Sequence, residues 1–242
     1  MPVPGNILAN ADDLGLNTSV NKAIMHCFEQ GYINSASVLT NTAGFEESVQ
    51  LVHASTYDIH NLGVHVNFAE GRPLTNIDNR YLGADGNFDM AKTGKKLNLF
   101  NNDDKRAFIK EIYAQINLAL TNKLPVTHLD SHYHLHTLPG FYKLFIKAAK
   151  HFNLKIRLAQ TYKEDSYIKF LYRKYINRII LNNKLNYSVY FETVDMFLKN
   201  QNRHMGIVEV MLHPDFDSEG NITDHFDRDS IINWINFVKK QQ

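Results

Sequence analysis

The sequence predicts a single α/β domain built on a barrel-like parallel sheet. Three observations predict it. Short apolar runs alternate with helical patterns along the chain, which implies parallel strands joined by crossover helices. The 242 residues suit one unit, since α/β barrels run to roughly 200–250 residues as single domains. Titratable clusters follow the strand-like runs, where such barrels build their sites.

Residues 6–11 read as a buried strand. A helix follows at 19–30, with Thr18 or Ser19 as its cap and Gly31 as its stop. Residues 37–40 read as a strand, 45–53 as a helix, and 62–68 (LGVHVNF) as a third strand with β-branched residues. From 69 to 102 the pattern dissolves into Gly, Asn, Asp and Lys, and a loop this long is commonly functional or mobile. A lid over the site, with Arg72, Tyr81 and Phe88 suited to stacking on and hydrogen-bonding a ligand, and a disordered insertion are two equal readings of it.

Residues 103–121 carry Phe108, Ile112, Ile116 and Leu120 on one helical stripe, and Pro125 ends that helix. A strand at 126–132, a helix at 138–151 and a strand at 155–159 follow. Residues 162–186 are basic, aromatic and helical, which suits packing or a homodimer contact. Strands at 187–191 and 206–213 and a helix at 230–240 close the chain, with no repeat and no domain boundary.

Composition excludes several classes of function. Lys plus Arg is 26 and Asp plus Glu is 25, a net charge of +1, so no nucleic-acid or membrane footprint is expected. No apolar run approaches the roughly 18 residues of a membrane span. The first residues lack the basic and apolar regions of a secretory signal, so the expected location is the cytoplasm. Twelve histidines stand against one cysteine, Cys27. A metal would therefore be held by imidazole and carboxylate.

Four clusters could carry chemistry. Asp12 and Asp13 end the first strand, and both reach one site only if the chain turns there, for which Gly15 is suited. His65 stands mid-strand among apolar residues. His128, Asp130, His132, His134 and His136 alternate across nine residues, and on an extended strand they share one face. Glu209 and His213 share a face of the last strong strand. Apart from the histidine run, each alone also suits a structural role. Together Asp12, Asp13, His65, His132 and His213 come from four strands whose ends a barrel gathers at one mouth. An Asp with two His is a common catalytic metal set.

The segments NADDLG, GVHVNFAEGRPL, THLDSHYHLHTLP and EVMLHP together resemble the YdjC-like carbohydrate deacetylases, over nearly the whole chain. That resemblance implies a distorted β/α barrel of the deacetylase type and one divalent ion, magnesium or zinc. It implies removal of the acetyl group from an N-acetylated sugar such as a chitooligosaccharide. By motif position, Asp13, His65 and His132 would hold the metal, Asp12 would be the base and His213 the second acid/base group. Asp130, His134, His136, Arg72 and Glu209 would orient the ligands or meet substrate. The family's HPGY is HPDFD here, which bears on the sugar more than on the reaction. Two rival readings are a metal-dependent phosphoesterase or amidohydrolase on a related barrel, and a non-catalytic sugar-binding protein. The Asp12-Asp13 opening disfavours the first, because such enzymes usually open with His-x-His. A base beside the ligands disfavours the second.

Overall fold

The computed structural model describes residues 3–96, 100–163, 166–200 and 203–241. Seven parallel strands form its sheet: β1 (Ile7–Leu14), β2 (Ser35–Val38), β3 (Leu62–Val66), β4 (Val126–Ser131), β5 (Lys155–Ile156), β6 (Tyr190–Thr193) and β7 (Val208–Leu212). Their order is β5-β4-β3-β2-β1-β7-β6. Chain order thus runs around a ring whose seam lies between β5 and β6. Backbone bonds bridge that seam: Ile156 donates to Leu185 at 2.6 Å, Tyr187 to Ile156 at 3.0 Å and Thr161 to Phe191 at 3.0 Å. The result is the expected α/β architecture, a distorted barrel.

Helices α1 (Thr18–Glu29), α2 (Phe45–Ala54), α3 (Met90–Thr93), α4 (Asn102–Thr121), α5 (Tyr142–Phe152), α6 (Tyr167–Asn182), α7 (Val194–Asn200) and α8 (Ser230–Lys240) accompany the sheet. Local chemistry sets their ends. The cap of α1 is Asn17, not Thr18 or Ser19, and it accepts from the Val20 amide. A reciprocal Asn101/Asp104 capping box starts α4. Helix α5 begins four residues later than its apolar pattern, because Pro139 and Gly140 occupy a turn. The sequence did not announce α7 or the hairpin of β8 (Pro214–Phe216) and β9 (Ile222–Asp224). Both are shorter than a periodicity window can register.

The described residues of the 69–102 stretch are anchored by buried side chains, among them Ile77, Tyr81, Phe88, Thr93 and Phe100. Phe68, Tyr81, Phe88, Phe100, Phe108 and Phe141 form one buried aromatic cluster with ring centroids 4.8–5.9 Å apart. Tyr81 and Phe88 are therefore core residues and are not free to stack on a sugar. Aromatic burial of this size dominates local stability, which overrides the polar composition that read as a disordered insertion. Residues 97–99 of that stretch, and 164–165 of the basic helical stretch, lie outside the described residues. On α6, Tyr167, Ile168, Leu171 and Tyr175 remain exposed.

The barrel interior is polar at its centre. His128 is fully buried and lies flat on Tyr187, with ring centroids 3.9 Å apart. Burial pushes its pKa down to about 4, so it stays neutral near neutral pH. Gly63 on β3 faces it: a Cβ there would come within 2.4 Å of His128 Nε2. The stacked ring has nowhere to go. Gly63→Ala is expected to cost about 1–3 kcal/mol. That lowers Tm by about 2–4 °C per kcal/mol, readable in a thermal melt; an unchanged Tm would contradict the close approach.

Candidate active site

The carboxyl ends of the strands gather the expected residues. At the end of β1 the register slips between Ala11 and Leu14, and Asp13 takes φ +70°. That left-handed residue turns the chain, so Asp12 and Asp13 both point inward and are buried. The turn begins at Asp13 itself, two residues before the glycine that the sequence offered for it. A non-glycine residue held there costs on the order of 1–3 kcal/mol, a strain typical of functional sites.

Asp13 Oδ1 lies 2.8 Å from His132 Nδ1 and 3.3 Å from His65 Nε2. One ligand atom from each residue lies within 4.8 Å of the others. Asp13 Oδ1 is buried and has no hydrogen-bond partner among the described residues. An unpaired buried carboxylate oxygen is expensive, and one carboxylate oxygen and two imidazole nitrogens gathered in one space fit a divalent cation. Carboxylate and imidazole are the hard and borderline donors such an ion takes. Burial alone would raise the Asp13 pKa, but His132, His225 and His65 hold it well below the usual carboxylate range.

The next layer fixes the donors. His65 Nδ1 lies 2.8 Å from Asp130 Oδ1, which orients the ring and turns Nε2 toward Asp13. Burial disfavours the charged imidazole, yet Asp130 and Asp12 hold the His65 pKa up at about 10. His132 Nε2 reaches Glu70 Oε1 at 3.2 Å. His225 Nε2 reaches Asp13 Oδ2 at 3.1 Å.

Asp12 faces the same space from one side. Arg157, fully buried, holds both its oxygens at 2.6 Å, bonds Asp130 Oδ2 at 2.8 Å and donates to Glu209 Oε1 at 2.6 Å. Burial raises the Asp12 pKa, but Arg157 and then His65 reverse this and leave it lowered. His213 Nε2 stands 3.9 Å from Asp12 Oδ2. Its backbone amide donates to Asp224 Oδ2 at 2.8 Å, which anchors the end of β7 to the β8–β9 hairpin.

Comparisons with known proteins bear on the family and the fold. The model of the YdjC-like protein family matches residues 6–239. The chain belongs to the YdjC-like family. Relatives of this YdjC-like chain include carbohydrate deacetylases of Vibrio vulnificus (28% identical, covering 86% of this chain and 77% of that one) and Clostridium beijerinckii (25% identical, 87% and 81%). Among solved structures, a candidate cellobiose-phosphate cleavage protein of Enterococcus faecalis shares the fold (TM-score 0.69, 18% identity, 96% of this chain and 88% of that one). A lactam utilization protein of Thermus thermophilus is more distant (TM-score 0.51, 12% identity, 97% and 96%).

Not every expected residue of the YdjC-like chain reaches the mouth. β4 ends at Ser131, and Tyr133 and His134 then take left-handed conformations (φ 52° and 55°) in a tight helical turn, His132–Thr137. The five-residue polar face expected of an extended strand is thus broken after Asp130. His136 folds beneath the mouth, while His134 is half-buried and lines the cleft beside Tyr133. Burial pushes both pKa values down to about 3. His136 Nδ1 pairs with Ser131 Oγ at 2.8 Å and locks the turn rather than a metal ligand. Arg72 is exposed, and its carbonyl accepts from Asn41. Glu209 lies behind the site against Arg157, away from any substrate.

Arg157, Glu70, Asp224 and His225 escaped the sequence reading. Arg157 carried a usable signal, a cation between the apolar Ile156 and Leu158 in a strand-like segment. For His225 there was none, because only the hairpin brings it back to Asp13.

Glu209 gives this chain a specific pH response. Burial raises its pKa from 4.5 to about 7, and Arg157 offsets this only in part. A carboxyl raised on folding contributes stability that is complete below its unfolded pKa and is lost as pH rises through the folded value. Wild type is therefore expected to lose on the order of 1–3 kcal/mol relative to Glu209→Gln between about pH 4.5 and 7. Urea unfolding of both proteins across that range measures the difference, and a difference independent of pH would contradict the assignment.

Proposed function

We propose that this YdjC-like protein hydrolyses the N-acetyl group of an N-acetylated sugar, releasing acetate, with one divalent cation held by Asp13, His65 and His132. The observation that supports this most is the buried Asp13 Oδ1, facing two imidazole nitrogens without a hydrogen-bond donor. The deacetylase names of its relatives supply the substrate class. A divalent cation, magnesium or zinc, would supply Lewis acidity there, making water more acidic and a carbonyl carbon more electrophilic.

The chain's own groups do the rest. Asp12 receives the proton of the attacking water. Its pairing with Arg157 keeps it ionised and fixes both oxygens, so it acts as a weak base of constant position. His213 gives a proton to the departing amine from the open side of the mouth, held by the Asp224 anchor. Proton transfers of this kind contribute about 10²–10⁴-fold each. Asp130 holds the His65 tautomer, and Arg157 ties Asp12, Asp130 and Glu209 into one rigid support.

Incubation with diacetylchitobiose across magnesium, zinc, manganese and cobalt, with acetate measured, tests the reading. A panel of phosphate esters run alongside separates it from a phosphoesterase. Ester turnover without acetate release would overturn it.

A further inference from the structure

Two aromatic rings stand at the mouth and take no part in the chemistry above. Tyr133 is 49% exposed and Phe226 54% exposed. Each follows a histidine that touches Asp13: Tyr133 follows His132, and Phe226 follows His225. The Tyr133 ring lies 4.3 Å from the His132 ring, and the Phe226 ring 4.4 Å from the His213 ring. The two stand nearly perpendicular, at 82°, with centroids 6.1 Å apart. They form a corner beside the ligands on one side and His213 on the other.

The backbone under Tyr133 is an expensive choice. Its left-handed conformation suits glycine or asparagine far better than a bulky aromatic. The turn itself needs no tyrosine, because the ring contributes nothing to the buried core. Half-exposed rings at the rim of a polar site are most simply explained by a ligand that covers them. A pyranose fits, since one face of the sugar presents C–H groups that pack on the negative face of an aromatic ring. From Tyr133 a cleft of about 720 Å³ continues past His134, Leu138 and Pro139 to Tyr172 on α6. Such a volume is in the range of ligand pockets and exceeds what one acetamide needs.

We propose that Tyr133 and Phe226 receive the ring of the reacting sugar, and that the cleft leading to Tyr172 takes the next unit of an oligomer. The proposal rests on the deacetylase reading and adds substrate length to it. It assigns these side chains to specificity, not to bond breaking.

The test compares wild type, Tyr133→Ala, Phe226→Ala and Tyr133→Trp, all loaded with the activating metal. Acetate release is measured from N-acetylglucosamine, diacetylchitobiose and a small non-sugar acetamide. Disaccharide binding is measured separately by calorimetry. Each alanine variant is expected to raise KM for the disaccharide about tenfold, with kcat within threefold and bound metal unchanged. Tyr133→Trp should restore most of the loss, and the small acetamide should not distinguish the proteins. Wild type should prefer the disaccharide over the monosaccharide. Turnover by wild type with KM unmoved in both alanine variants overturns the aromatic corner alone, and equal use of both sugars overturns the cleft assignment. Disaccharide binding that depends on Tyr133, without acetate release, overturns the deacetylase reading and keeps the corner. Neither binding nor turnover overturns both.

Discussion

His132→Ala is expected to abolish metal loading and to lower acetate release by at least about 10³-fold, more than one lost transition-state donor costs. The imidazole supplies one of three converging donors, and its Nδ1 lies 2.8 Å from Asp13 Oδ1. Without it, two donors remain for the ion. Stability should fall as well, because His132 is one of the imidazoles that hold the buried Asp13 ionised, so both readings are taken on protein shown to be folded. Metal content by elemental analysis and acetate release on the same sample check both halves. A variant that keeps one metal per chain and near wild-type turnover would remove His132 from the ligand set.

Arg157→Met should have the largest effect on folding. The guanidinium is fully buried and neutralises Asp12, Asp130 and Glu209 together. Burial opposes its charge, but the three carboxylates hold its pKa well above the ordinary value. Methionine would fill part of the volume and leave the carboxylates without their cation. Breaking one side of a buried ion pair costs about 3–5 kcal/mol. At about 2–4 °C per kcal/mol for a chain of this size, Tm should fall by roughly 6–20 °C. The double variant Arg157→Met/Glu209→Gln should recover little of that near neutral pH, because Glu209 without its cation takes up a proton, which leaves Asp12 and Asp130 as the uncompensated carboxylates. Thermal melts of the single and double variants decide it, and a single variant as stable as wild type would contradict the charge-hub account.

Much of this was legible in the sequence, and specific local physics limited the rest. Strand and helix alternation gave the α/β barrel because both periodicities depend only on side-chain spacing. Asp12, Asp13, His65, His132 and His213 were found as strand-end residues, and the structure brings them together. The histidine run misled beyond Asp130. Alternation assumes extended backbone, and two consecutive left-handed residues, Tyr133 and His134, break it. Loop 69–102 misled because its polar composition hid Tyr81, Phe88 and Phe100, which bury themselves against Phe68 and Phe108. His225 and Asp224 became part of the site only through the β8–β9 hairpin, a pairing among residues too few to show periodicity.

The most direct test of the central claim is a metal titration of stripped protein. After removal of bound ions with a chelator, a divalent cation is added back while acetate release from diacetylchitobiose is followed. No acetate is expected without the ion, and activity should rise to a plateau at one ion per chain in wild type but not in Asp13→Asn. Full acetate release from stripped protein, or an unchanged titration in Asp13→Asn, would contradict it.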